Sequence, residues 1–132
     1  MGVARLLGEK VASLNWTAIN DDALHWAKIG ILDTIGVTLA GSTQECTRIA
    51  ASTVTAGHQL NGDNGTALIF SSGHRTSALD AAFVNGVSAH ALDFDDVSTT
   101  LGGHPSAPLV PALLALGEEL GAMQPVSGRE LI

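Results

Sequence analysis

Apolar residues recur at helical spacing along most of the chain. Between residues 22 and 40 they fall on one helical face, at Leu24, Ile31, Leu32, Ile35 and Leu39. This spacing predicts a helix, and the scarcity of polar residues within it predicts that the helix is mostly buried. Gly41 follows as a typical helix-ending residue. Gly30 and Gly36 weaken the helix, so we expect close contact with another helix to compensate.

The same periodicity predicts four more helices. They cover residues 3–14, 42–56, 76–93 and 108–120. The last is placed to begin at Pro108, because a proline deep in a helix costs about 3 kcal/mol and prolines stand at 105, 108 and 111. Residues 127–130 have the spacing of a capping box, which predicts that another helix begins there.

Only one segment favours extended structure. Residues 67–70 form a short apolar run, which predicts a strand or a buried loop, between a polar, glycine-rich stretch at 58–65 and a break at 71–73. The predicted fold class is therefore all-α, a helical, bundle-like portion of a larger helical domain, with at most one short strand pair.

Composition narrows the possible partners. The chain is 45% hydrophobic and 14% charged, whereas a typical soluble domain carries about 25% charged residues. We therefore expect apolar surface to remain for a partner or for further parts of the protein. The net charge is −7, which argues against nucleic acid, because phosphate backbones require clustered Lys and Arg.

The expected compartment is cytoplasmic, or the mitochondrial matrix in a eukaryote. The single cysteine, Cys46, excludes an internal disulfide. The start of the chain lacks the apolar stretch of a signal peptide. No apolar run approaches the roughly 20 residues that span a bilayer, so no membrane partner is expected.

Ionisable residues concentrate in one short region. Three carboxylates and two imidazoles lie within fifteen residues, at His90, Asp93, Asp95, Asp96 and His104. A carboxylate beside an imidazole suits proton transfer, because the carboxylate can orient the ring and tune its pKa. His104 precedes the predicted helix at 108, where free backbone N–H groups favour a bound anion and a neutral imidazole.

Two plainer interpretations of this region stay open. Asp95 and Asp96 are predicted to cap helix ends or to face solvent, and His90 to be a packed, hydrogen-bonded residue. Alternatively, Asp93, Asp95, Asp96 and His104 could bind Mg²⁺ or Zn²⁺. No tight His/Cys ligand spacing supports a metal, so none is expected.

Two motifs carry a resemblance to a known family. NGVSAHALDFDD at residues 85–96 and HPSAP at 104–108, followed by PALLALGE at 111–118, resemble the signatures of the MmgE/PrpD family, which includes 2-methylcitrate dehydratase and cis-aconitate decarboxylase. LDTIG at 32–36, with LAG at 39–41, is similar to an earlier family segment. The resemblance covers nearly the whole chain.

The resemblance implies a lyase that removes water or carbon dioxide from small di- and tricarboxylates. It implies a large helical domain, a smaller lid domain, a homodimer, and neither metal nor organic cofactor. Asp93 and His104 match family residues that line the active site and are assigned as catalytic. A threonine usually follows DFDD, where this chain has Val97, so Ser98, Thr99 or Thr100 could supply the hydroxyl. Ser98, Thr99 and His90 are assigned to substrate binding.

The resemblance also implies that the site is incomplete here. The family's further active-site Lys, His and Tyr and its lid domain are expected beyond Ile132, so residues 1–132 are interpreted as the N-terminal portion of the helical domain. The chain is then expected to be inactive alone. The alternative is a non-catalytic helical interaction module that associates through exposed apolar surface.

Overall fold

The computed structural model describes residues 2–61 and 65–131, and for residues 58–61 it describes the backbone alone. In chain order the described residues form α1 (Val3–Ser13), a single 3-10 turn (Trp16–Ala18), α2 (Asp21–Gly41), α3 (Glu45–Asn61), β1 (Ala67–Leu68), β2 (Arg75–Thr76), α4 (Ala78–His90), α5 (Ser106–Gly121) and α6 (Gly128–Leu131). The two strands pair antiparallel. The predicted all-α class with one short strand pair is confirmed. Residues 62–64 of the predicted glycine-rich stretch lie outside the described residues.

Helix α4 is the centre of the fold and packs against α2, α3 and α5. Its inward positions are small, and Ala81 and Val84 are fully buried. They join Ala50 and Val54 of α3 and Ile69 of the hairpin in one core cluster. Small side chains let the helix axes approach closely, which explains how a chain with few large buried residues still forms a core.

The helix boundaries follow local capping chemistry. The Asn20 side chain accepts from the Ala23 N–H (2.7 Å), so α2 begins one residue before the predicted start. The Ser77 side chain caps α4, which leaves Thr76 to β2 rather than to the helix. Helix α5 begins at Ser106, two residues earlier than predicted, because Pro108 lies in the first turn, where a missing N–H costs nothing.

Gly41 has a different role from the predicted one. It is the last residue of α2, and a Cβ built on it would lie 2.0 Å from the carbonyl oxygen of Ser88 in α4. The glycine therefore permits close contact between two helices. Gly30, by contrast, meets only Ser106 Oγ at an ordinary 3.7 Å, and Gly36 has nothing within 4 Å. The expected compensation by helix contact is thus found at Gly41 and is absent at Gly36.

The prediction that α2 is mostly buried is wrong for the described structure. Its buried residues are Thr34, Thr38 and Gly41, a narrow stripe, while Leu32 is 72% exposed. The stripe faces α4, where Ser88 Oγ donates to the Thr38 carbonyl (2.7 Å). The large apolar residues of α2 are divided: Leu24, Ile31, Ile35 and Val37 are partly buried, whereas Trp26, Ile29, Leu32 and Leu39 are exposed among the described residues.

No helix within the described ranges is both long enough and apolar enough to cross a membrane.

The β-hairpin is attached to the helices by two polar side chains. Asn85, in α4, donates through Nδ2 to the Leu68 carbonyl (2.8 Å) and accepts at Oδ1 from the Phe70 N–H (3.0 Å). Glu118, in α5, accepts from the Leu68 N–H (2.6 Å). Asn85 is buried. The asparagine of the first motif therefore holds the hairpin in place.

Replacing Asn85 with alanine is expected to lower the free energy of unfolding by about 2–4 kcal/mol, because two buried backbone groups lose their partner. Urea denaturation measures this loss. Ser72→Ala is the control in the same hairpin, since Ser72 is exposed and its hydroxyl accepts one long bond from the His74 N–H; its change should stay within about 0.5 kcal/mol. Equal effects of the two substitutions would contradict the assigned role.

Candidate active site

The candidate site forms where the chain leaves α4 and returns to start α5. His90 is the last residue of α4, and Asp93 follows with a positive φ of 55°. A bridge between Ser98 and Gly103, with the Ser98 N–H bonded to the Gly103 carbonyl (2.8 Å), closes the loop. The closed loop brings His104 back beside the end of α4.

Asp93 and His104 meet as the sequence predicts. The Oδ1 atom of Asp93 lies 3.5 Å from Nε2 of His104. Asp93 is well exposed, with 76% of its side chain open to solvent, and His104 is partly buried. The positive φ of Asp93 suits a short polar residue that tolerates the left-handed region. An unusual backbone conformation at a chemically active side chain is common in functional sites.

A groove of about 680 Å³ runs past the two imidazoles. Its remaining walls are apolar and come from α4 and the start of α5: Leu79, Ala82, Phe83, Gly86, Val87, Ala107 and Pro108. Among the residues that the structure describes, no Lys or Arg lines this groove. His90 and His104 can exchange a proton with a molecule bound in the groove. Cationic side chains that would bind the carboxylates of such a molecule are absent from its described lining.

Asp95 lies beneath both imidazoles. Its side chain is only 1% exposed, and its Oδ1 lies 2.9 Å from His90 Nδ1. Its Oδ2 is 3.3 Å from His104 Nδ1, and its backbone carbonyl is also 3.3 Å from that nitrogen. The two rings meet edge to face, with centroids 4.6 Å apart. The prediction that Asp95 caps a helix or faces solvent is wrong, because the two histidines surround it.

Asp96 has the predicted capping role. It accepts from the Ser106 N–H at Oδ1 (3.0 Å) and from the Ser106 hydroxyl at Oδ2 (2.8 Å). The carboxylate thus occupies the start of α5, where free N–H groups were expected to attract a bound anion. An internal anion already takes that place, so the helix start gives no support for an anion site beside His104.

The other predicted substrate-binding residues are placed differently. His90 lines the groove. The Ser98 hydroxyl accepts from the Leu101 N–H within the loop (3.2 Å), and Thr99 is exposed in the same turn. Neither Ser98 nor Thr99 belongs to the groove lining, so the described structure does not bring them to the histidine pair.

Within the described part of the chain, the set of side chains that could hold a metal differs from the predicted one. Single ligand atoms of His90, Asp93, Asp95 and His104 all lie within 4.8 Å of one another, and Asp96 is not among them. Tetrahedral zinc at about 2.1 Å from each ligand requires ligand atoms roughly 3.4 Å apart. The four groups would have to contract around an ion, and Asp95 would have to give up its bonds to the rings.

The pair of His90 and Asp95 predicts a pH-dependent stability. The hydrogen bond to Asp95, its charge and the charge of Asp93 raise the pKa of His90 above its ordinary 6.5, although desolvation opposes them. A raised folded-state pKa stabilises the fold fully below about pH 6.5, and this contribution is lost as pH rises through the raised value.

We therefore compare the unfolding free energy of wild type with that of His90→Gln. The advantage of wild type should be about 0.5 kcal/mol larger at pH 5.5 than at pH 9, and this margin is small because the ring is half exposed. Denaturation at both pH values measures it. In the Asp95→Asn background the margin should shrink to the smaller part that the charge of Asp93 supplies, and a margin that grows with pH would contradict the pairing.

Comparisons with known proteins agree with the two motifs. The sequence pattern of the MmgE/PrpD N-terminal domain matches residues 5–132. The chain is 33% identical to human cis-aconitate decarboxylase over 115 residues, which cover 86% of this chain and 23% of the human protein. It is 32% identical to the mouse cis-aconitate decarboxylase over 115 residues, 86% of this chain and 22% of that protein. The chain thus spans about a quarter of the length of these relatives, and it belongs to the MmgE/PrpD family.

Proposed function

We propose that this chain contributes the Asp93–His104 part of a lyase active site that acts on small di- or tricarboxylates, with cis-aconitate as the leading substrate. The observation that carries the proposal is the 3.5 Å approach of the Asp93 carboxylate to His104 Nε2 at the edge of a groove. The decarboxylase relatives support the choice of substrate. 2-Methylcitrate, whose dehydration uses similar proton transfers, is the second candidate.

The chemistry requires a group that holds one proton and can release it. In decarboxylation the bond to one carboxylate carbon breaks, its electron pair forms a new double bond, and the displaced double-bond pair takes a proton on carbon. In dehydration a base removes a proton beside a carboxylate, and an acid protonates the leaving hydroxyl. An imidazole beside a carboxylate serves either role, and such catalysis contributes about 10²–10⁴-fold.

Binding a substrate with three carboxylates requires more than this groove provides. The chain has net charge −7, and the described groove lining contains no Lys or Arg. We therefore place the cationic groups, together with the lid that excludes water, outside residues 1–132. Each missing electrostatic stabiliser would cost about 10²–10³-fold. The 132-residue chain alone is expected to show no turnover.

The exposed apolar faces are proposed to associate, most simply in a homodimer. Trp26, Leu32 and Leu39 of α2, which lie outside the groove, are each more than half exposed. Such faces on a domain with little surface charge favour burial against protein. Solution mass from light scattering tests this proposal, and a strictly monomeric protein at all concentrations would contradict it.

The test of function is product-resolved NMR in D₂O with the protein expressed from the complete gene. With cis-aconitate, the expected product has lost carbon dioxide and carries one solvent-derived deuterium on carbon. Human cis-aconitate decarboxylase is the positive control, and the 132-residue chain is the expected negative one. A folded protein that converts neither cis-aconitate nor 2-methylcitrate would contradict the proposal and favour a non-catalytic helical module.

A further inference from the structure

Asp95 differs from the other carboxylates of the site in its burial and in its partners. A carboxylate with 1% of its side chain exposed is costly unless hydrogen bonds compensate for the lost water. Its carboxylate oxygens lie 2.9 and 3.1 Å from Nδ1 of His90, and one lies 3.3 Å from Nδ1 of His104. The buried Asp95 carboxylate thus contacts the Nδ1 atom of both His90 and His104.

The partners of these nitrogens determine which of them carries a hydrogen. An ionised carboxylate and a backbone carbonyl can accept hydrogen bonds but cannot donate them. His90 Nδ1 faces the Asp95 carboxylate, and His104 Nδ1 faces both the Asp95 carbonyl and its carboxylate. Both Nδ1 atoms must therefore be donors. A neutral ring carries one hydrogen, so Nε2 is the unprotonated nitrogen of each neutral ring. For His104, the two acceptors 3.3 Å from Nδ1 outweigh the Asp93 oxygen 3.5 Å from Nε2.

We propose that Asp95 is a positioning residue that fixes both imidazoles as Nδ1–H tautomers, so that Nε2 is the atom which exchanges protons in the groove. The inference rests on the proposed function for its catalytic meaning. The tautomer proposed for His104 also gives a role to the approach of the Asp93 carboxylate to His104 Nε2. A neutral His104 has an unprotonated Nε2 that can take a proton from a molecule in the groove, and the Asp93 carboxylate oxygen 3.5 Å away then stabilises the imidazolium that forms.

A second ring then takes part in proton handling. His90 lines the same groove as His104 and stands edge to face with it. With Nδ1 bonded to Asp95, its Nε2 has the same protonation pattern as that of His104. The pair forms a two-histidine unit on a single buried carboxylate, and loss of the carboxylate should affect both rings without touching the substrate.

Nitrogen-15 NMR of the histidine rings tests the tautomers without any substrate. Above the pH at which both rings lose their charge, wild type should show protonated Nδ1 and unprotonated Nε2 for His90 and His104. In Asp95→Leu, which removes both side-chain oxygens that face His90 Nδ1, the His90 pattern should shift toward Nε2–H. His104 should keep more of its pattern, since the backbone carbonyl remains. Asp96→Asn makes the same charge change one residue away and should leave both patterns as in wild type.

Catalysis gives the second readout. In the protein expressed from the complete gene, Asp95→Asn should lower kcat about 10–100-fold and leave KM nearly unchanged, as supporting residues that orient a ring typically do. Wild-type rings in the Nε2–H form would overturn the proposal even if the variant fails to fold. So would an unchanged His90 pattern in Asp95→Leu, where no side-chain acceptor remains at position 95. Absence of turnover, with the tautomers as stated, would instead count against the proposed function alone.

Discussion

Replacing Asp93 with asparagine is expected to lower turnover about 10²–10⁴-fold while the unfolding free energy stays within about 0.5 kcal/mol of wild type. The side chain is 76% exposed and contacts His104 across 3.5 Å, so little packing is lost. Its φ of 55° suits asparagine at least as well as aspartate. The substitution removes the ionisable oxygen and keeps the shape of the residue.

Two further variants serve as controls for this result. Asp93→Gly should raise stability by about 1 kcal/mol or less, since glycine adopts positive φ freely, and should also lose activity. Asp22→Asn, in the exposed first turn of α2, should leave turnover unchanged. Progress curves and urea denaturation of the protein from the complete gene give both quantities. A fully active Asp93→Asn would show that the carboxylate has no chemical role.

Replacing Gly41 with alanine is expected to cost about 3 kcal/mol or more, or to prevent folding. The added Cβ would lie 2.0 Å from the Ser88 carbonyl oxygen and 3.1 Å from the Ala91 Cβ. Both belong to the segment that ends α4, so the helices must separate or tilt, and overpacking of this kind is strongly destabilising. The displacement would also move His90, which lies between the two contact residues Ser88 and Ala91.

Gly36→Ala is the matched control in the same helix. Nothing lies within 4 Å of the Cβ that it adds, and alanine is the better helix former. It should raise the unfolding free energy by about 0.5–1 kcal/mol. Thermal melting by circular dichroism compares the two variants directly. If Gly41→Ala melts at or above the wild-type temperature, the close approach of α2 and α4 is wrong.

The helices could be predicted from the sequence because their signals are local. Most helix ends lie within three residues of their predicted positions, but α3 covers Glu45–Asn61 where 42–56 was predicted. Asn20 and Ser77 mark the starts of α2 and α4 through bonds that span three residues. The approach of Asp93 to His104 followed from two motifs separated by a short loop. These features depend on neighbours in the chain, so a single sequence contains enough information for them.

The remaining features depend on contacts between distant segments. The bond of Leu68 to Glu118 spans fifty residues, and Gly41 is required by a carbonyl in α4. Asp95 offered a local signal, since it lies between two histidines at 90 and 104, but its burial could be seen only once the loop closed. The exposed face of α2 had the apolar pattern of a buried helix, because periodicity does not show which surface is covered.

The measurement that tests the central claim most directly is kcat for His104→Gln with cis-aconitate, in the protein expressed from the complete gene. Glutamine preserves a polar side chain at the groove, but its amide does not gain or lose a proton near neutral pH. With the fold verified by circular dichroism, kcat should fall at least about 10²-fold and the deuterated product should disappear in proportion. A His104→Gln protein that turns over at the wild-type rate would contradict the assignment of proton transfer to Asp93 and His104.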